Sequence, residues 1–243
     1  MDRHFDFEQV FNFRDLGGYD TADGRTVRWR RLFRSGEHQR MRPHEVKRLR
    51  AEITIRTVID FRSETEAGDP RGPGALVAPG VERHHLPMGN ADAKFAARSE
   101  GAWDPDYVGM LRRQGPAWAQ AFSILGRDEA YPAVFHCVTG KDRTGVFAAL
   151  LLDALGVPEP VILDDFALSQ RAMDTLVERL RARGVMRPDE TPNPALGVPR
   201  EAMAEMLAVL RGEHGSARAY LRAHGVSDAT FNAVEVHLLE PRR

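Results

Sequence analysis

Cysteine is nearly absent from this chain of 243 residues: Cys137 is the only one. A single thiol excludes an intramolecular disulfide and suits a reducing compartment. Long apolar runs are missing as well. None approaches the roughly 18 residues of a membrane span, and the opening MDRHFDFEQV carries charges where a signal peptide needs an apolar stretch. A soluble, cytoplasmic protein with no stable membrane insertion is expected. Neither sign of charge prevails, since 34 Lys and Arg stand against 35 Asp and Glu for a formal net charge of −1. General affinity for nucleic acid is therefore not expected. Internal repeats and low-complexity tracts are absent too.

What is present is a strand-and-helix alternation long enough to bury a large core. Residues 12–37 combine Gly-Gly and Asp-Gly turn signals with short β-type runs, which predicts a hairpin-like start. Pro43 opens a short helix through about Arg50, with Val46 and Leu49 facing inward. β-Branched residues from Ile53 to Phe61 predict a central strand, and VERHHLPM a second one. Two helices follow in YVGMLRR and PAWAQAFSILG, the second with Trp118, Phe122 and Leu125 on one face. Beyond residue 137 the pattern is almost entirely helical. Met173, Leu176, Val177 and Leu180 share one face, and Met203, Met206, Leu207 and Leu210 another. A proline-rich connector separates those two helices. Ser227 is placed to cap a last helix bearing Phe231, Val234 and Leu238. The alternation predicts a mostly parallel sheet covered by helices, with no domain boundary.

The lone cysteine heads the stretch HCVTGKDRTG, residues 136–145. AVFHC before it reads as a buried strand, and TGVFAALLLDAL after it as a buried helix. A thiol between a strand end and a helix N-terminus sits where backbone N–H groups and the helix dipole favour negative charge. Val138, Thr139, Gly140, Lys141 and Asp142 separate Cys137 from Arg143, a length that can curl into an anion nest. Gly140 frees the backbone for a sharp bend. Arg143 offers a planar fork to two oxygens at once. Such donors suit a phosphoryl transition state and also favour the thiolate over the thiol. Thr144 is placed to donate its hydroxyl to the sulfur when the thiolate leaves. His136 is read as orienting the loop rather than as an ordinary core histidine.

This loop resembles the signature loop of the cysteine-dependent protein tyrosine phosphatases. Its GKDRTG ending is similar to an atypical, mostly microbial branch that acts on phosphotyrosine and sometimes on phosphoinositides. NFRDLGG at 12–18, LFRSGE at 32–37, VIDFRSETE at 58–66 and the late YLRAHGVSD look like further motifs of that branch. The resemblance implies one α/β phosphatase domain over 1–243: a central mostly parallel sheet flanked by helices, with a C-terminal helical elaboration. The helices over about 167–212 would be an insertion or lid. It implies Cys137 as nucleophile, Arg143 as phosphoryl binder with residues 138–144, no metal and no organic cofactor, and a phosphorylated protein or lipid as substrate.

The family takes a proton for the leaving group from an aspartate on a separate loop. Here that loop reads LPMGNADAK, with Asn90 near the expected position and Asp92 two residues on. Asp92 is the chosen acid; Asp142, Asp104 and Asp106 are alternatives. Lys141 is a candidate for meeting a second phosphate, or else a solvated charge. Arg14 and Asp15 are read as core braces, and Asp164 and Asp165 as a helix-starting or capping pair. His84 and His85 point to opposite faces of a strand, so a metal between them is disfavoured. Two other classes stay open: a rhodanese-like sulfurtransferase, and a catalytically weak phosphate-ester binding module.

Overall fold

The computed structural model describes residues 2–89 and 105–242. Five strands form the main sheet in the order β1-β3-β6-β4-β5. They are β1 (Arg14–Asp15), β3 (Leu32–Ser35), β6 (Ala133–His136), β4 (Thr57–Asp60) and β5 (Glu82–His85). The sheet is parallel from β3 to β5, and only the edge pair β1–β3 is antiparallel. The mostly parallel α/β sheet expected from the sequence is the one observed.

All four residues of β6 are buried, as a strand covered on both faces requires. Alternation along it divides two cores. Val134 faces Phe7, Phe13, Phe33, Leu49 and Val58, while Phe135 faces Phe61, Trp118 and Phe147. The second core holds α3 (Tyr107–Arg113), α4 (Gly115–Ile124) and α5 (Asp142–Ala154). In α5 eleven of 13 residues are buried, so this helix is the hydrophobic axis of the molecule. Against it pack α6 (Glu159–Ala167) and α9 (Ala217–Ala223), and α8 (Arg200–His214) packs on both of these.

Two expectations need correction. Residues 12–37 do not close as a hairpin. The chain leaves β1, forms β2 (Arg25–Val27) against β7 (Leu239–Pro241), and returns to pair β3 with β1. Asp15 ties the excursion shut, its carboxylate accepting from Gly17 N at 2.7 Å and Arg30 N at 2.8 Å. The β-branched run from Ile53 is a strand only over Thr57–Asp60. Helix α1 (Pro43–Glu52) runs longer than expected, and the Ile53 amide closes its last turn on Leu49 O. Ile53 and Ile55 are buried as loop residues, so their side chains reflect burial and not strand pairing.

In register, Ser35 of β3 and Asp60 of β4 both align with His136 of β6. Three parallel strands thus end at one level. The segments that follow them, from Gly36, Phe61 and Cys137, gather at the carboxyl edge, where ligands of open α/β sheets sit.

Candidate active site

Cys137 is 2% exposed and stands where β6 ends, five residues before α5 begins. The loop between them is defined by where its carbonyls go. Cys137 O lies 3.1 Å from His136 Nδ1, and Val138 O accepts from Glu37 N at 2.8 Å. Thr139 O and Gly140 O accept from Asn12 Nδ2 at 3.5 and 2.8 Å, and Gly140 O also accepts from Arg34 Nη2 at 2.9 Å. Four successive carbonyls are therefore bound from outside the curl. A trans peptide points its N–H opposite to its C=O, so the four following N–H groups turn to the other side. The first turn of α5 adds N–H groups with no partner inside their own helix. Gly140 has φ +70°, and a Cβ there would lie 2.5 Å from the Ser35 backbone, so the expected demand for glycine is met at this close approach. Gly36 is pressed from the other side: its Cβ would meet Val138 O at 2.9 Å.

Arg143 reaches back across the loop. Its Nη1 and Nη2 grip both oxygens of Glu66 at 2.6 and 2.9 Å, and Nη1 also meets Phe61 O and Met88 O at 3.2 and 3.3 Å. Burial alone would weaken its charge. The Glu66 bonds outweigh burial and hold Arg143 above the ordinary arginine value. Glu66 is itself fixed by a reciprocal cap with Ser63: Ser63 N donates to it at 2.7 Å, and Glu66 N donates to Ser63 Oγ at 3.3 Å. Sequence reading missed Glu66 as a site residue. Its signal was the Ser-x-x-Glu spacing at the head of the short helix α2 (Glu64–Ala67).

His136 is fully buried beside His38, with ring centroids 4.6 Å apart. Burial holds both below the ordinary histidine value, and for His38 the neighbouring His136 adds to it. The Nε2 of His136 lies 3.6 Å from Asp60 Oδ1. Asp60 also receives Arg62 and Arg83. Thr144 Oγ1 is buried with no hydrogen-bond partner among the described residues. It is left with a donor to offer.

The acidic candidates separate. Asp92 and Asp104 lie outside the described residues. Asp142 Oδ1 accepts from Tyr107 OH at 2.6 Å. Asp106 caps α3 through Gly109 N and pairs with Arg113 at 3.0 Å. The expectation for Lys141 changes most. Its side chain is 2% exposed, and Nζ donates to Ala195 O at 2.5 Å and Gly197 O at 3.0 Å. The ammonium is therefore engaged by the connector between α7 (Ser169–Ala182) and α8, and is neither a solvated charge nor directed at a second phosphate.

Asp165 is likewise no helix cap. It is 1% exposed within α6 and binds two buried arginines, Arg14 Nε at 3.0 Å and Arg34 Nη1 at 2.6 Å. Its companion Asp164 pairs with Arg200 at the surface. No group of three metal-ligating side chains occurs among the described residues, and no described helix is long and apolar enough to cross a membrane.

A cysteine and an arginine bracketing a curl of inward N–H groups, at the carboxyl edge of this sheet, is the arrangement of a phosphate-binding loop. The sequence profile of the tyrosine phosphatase family matches residues 5–240, and the chain belongs to that family. It is 30% identical to the triple specificity protein phosphatase PtpB of Mycobacterium tuberculosis over 95% of this chain and 97% of that one. A tyrosine-protein phosphatase of Nostoc commune is 31% identical over 54% of this chain and 47% of its own. Among solved structures, TpbA of P. aeruginosa is similar at 19% identity, covering 77% of this chain and 96% of its own with a TM-score of 0.33.

Proposed function

We propose that the protein hydrolyses phosphate monoesters, phosphotyrosine first among them, with Cys137 as nucleophile. The observation that carries this is the outward anchoring of four consecutive loop carbonyls between Cys137 and Arg143. The N–H groups so turned, with the Arg143 fork, would hold the phosphoryl oxygens through the transition state. The Cys137 thiolate forms an S–P bond as the bond to the leaving oxygen breaks, and that oxygen takes a proton. Water then attacks phosphorus, the S–P bond breaks, and inorganic phosphate and thiolate are released. Thr144 Oγ1 is placed to stabilise the departing sulfur. His136 holds the head of the loop through the Cys137 carbonyl. For the proton donor we retain Asp92, since Asp142 and Asp106 are engaged by Tyr107 and by Gly109 with Arg113.

The relative named a triple specificity phosphatase makes phosphoserine, phosphothreonine and phosphoinositides further candidate substrates. A cavity of about 220 Å³ beside Val138 and Thr139 supports the wider range, being lined by Arg40, Arg179 and Arg183 with Phe11, Leu176 and Leu180. Those arginines take over the second-phosphate role first expected of Lys141. Arg179 and Arg183 belong to the α7–α8 elaboration, which we propose acts as a lid on one phosphatase domain. A cytoplasmic setting would keep the lone thiol reduced.

The test is phosphate release from a small aryl phosphate in the presence of chelator, comparing wild type with Cys137→Ser. Metal-independent turnover that disappears in the variant is expected. No turnover by folded wild type would favour a binding module, and thiosulfate sulfurtransfer in its place would favour the rhodanese-like reading.

A further inference from the structure

We propose that Asn12, Arg34 and Asp165 form a positioning relay behind the loop that orients and polarises the Gly140–Lys141 peptide, so that they act in anion binding without touching the anion. The inference rests on the phosphatase reading and says what makes the cradle strong.

Two distant segments converge on one carbonyl, and a third holds one of them in place. Gly140 O accepts from Asn12, which precedes β1, at 2.8 Å and from Arg34 of β3 at 2.9 Å. Asp165 holds Arg34 through Nη1 at 2.6 Å and Arg14 through Nε at 3.0 Å. Tyr19 OH donates to the same carboxylate at 2.9 Å. Arg14 in turn donates to Asn12 Oδ1, which fixes the Asn12 amide with its Nδ2 toward the loop. Asn12 has φ +60°, a backbone that asparagine tolerates and most residues do not. Every member of the chain from Asn12 to Asp165 is buried.

Charge gives the relay its purpose. Two guanidinium groups face one carboxylate, leaving one positive charge uncompensated within the group. Burial and the nearby Arg14 pull Arg34 down to about 10, and at neutral pH it is still a cation. A cation bound to a peptide oxygen draws electron density along the amide, and the N–H at the other end becomes a stronger donor. That N–H belongs to Lys141 and faces the side on which the loop closes. The surplus charge therefore finds its counter-charge across one peptide, in the thiolate or in a bound phosphate. A purely structural device would not need it, because buried ion pairs can often be replaced by apolar packing without loss of stability.

The experiment uses the full chain and two readouts that do not depend on turnover. Inorganic phosphate binding is measured by calorimetry in a Cys137→Ser background, and alkylation of intact Cys137 by iodoacetate is timed at neutral pH. Asn12→Gly removes one donor and keeps the φ +60° backbone unstrained. Arg34→Lys keeps the charge, and Arg34→Gln removes it. Phosphate dissociation constants are expected to rise by about fivefold for Asn12→Gly and more than about tenfold for Arg34→Gln, with Arg34→Lys between. Alkylation should slow in the same order. Melting temperatures that fall while phosphate affinity and alkylation stay at wild-type values would overturn the relay. If the Arg34 variants do not fold, Asn12→Gly alone decides by the same criterion. Absence of both phosphate binding and turnover with the relay intact would overturn the phosphatase reading, and the relay with it.

Discussion

The loop between Cys137 and Arg143 is held from two sides by different means. Its floor is β1, β3 and α6, where Asn12 and Arg34 bond to loop carbonyls and share the buried Asp165 network. Its roof is the connector between α7 and α8, held by Lys141 through the carbonyls of Ala195 and Gly197. The floor is cross-linked several times over by buried groups. The roof meets the loop through the Lys141 side chain, is tied to α7 through Arg181 and the Glu190 carbonyl, and is largely at the surface. The difference separates two requirements of an enzyme site. Loop geometry belongs to the floor, while access would belong to the roof if the α7–α8 elaboration acts as the lid proposed above.

The comparison can be broken at its centre first. Cys137→Ser should cut turnover by more than about 10³-fold, the scale on which loss of a nucleophile is felt elsewhere. It should leave floor, roof and melting temperature alone. Arg143→Lys loses the two-oxygen fork and should cost about 10²–10³-fold in kcat. Glu66→Gln leaves the guanidinium in place with a weaker partner and should cost about tenfold, or about 1.4 kcal/mol of barrier. Steady-state kinetics on one aryl phosphate ranks all three.

Floor and roof should then differ in stability. Asp165→Asn strands two buried arginines and should cost about 3–5 kcal/mol in denaturant unfolding. Lys141→Met loses two hydrogen bonds to carbonyls near the surface and should cost only about 1–3 kcal/mol. It should make residues 184–199 easier to cleave by protease than in wild type. Equal costs for the two changes would erase the distinction.

Acid should act on the floor's neighbour. His38 and His136 titrate below 6.5 in the fold because burial disfavours their charged forms. The unfolded chain therefore binds protons first, and stability contributed by the neutral rings is lost as pH falls through about 6.5. Melting temperature should drop between pH 7.5 and 5.5, and less steeply in His38→Phe. The smallest effect concerns Ser63→Ala. It removes the cap that steadies Glu66 and should cost about 1 kcal/mol, with a small rise in KM.

What sequence reading could see followed from spacing along the chain. The pair Cys137 and Arg143, the strand before them and the buried helix after them are local, and the spacing carried them. Glu66 and Arg143 lie 77 residues apart, and nothing in either segment alone announces their pairing. Lys141 misled for the opposite reason. A lysine in a glycine-rich loop reads as an anion binder, and only the fold shows two carbonyls of a distant connector beside it. Arg14, expected as a core brace, is fully buried. Its partner Asp165 is harder to see, because an Asp-Asp pair after an apolar run looks like a helix terminus until three basic and phenolic groups close on one member. The run from Ile53 to Phe61 was overextended as a strand because burial and strand pairing select the same β-branched side chains.

The convergence on Gly140 also bears on how the molecule is made. Asn12 and Arg34 emerge early in synthesis, the loop itself past the midpoint, and the carbonyls that receive Lys141 only at residues 195 and 197. The floor's last contributor, Asp165, comes before that connector. A chain cut between residues 169 and 195 would therefore carry every floor anchor of the loop and lack the carbonyls that receive Lys141.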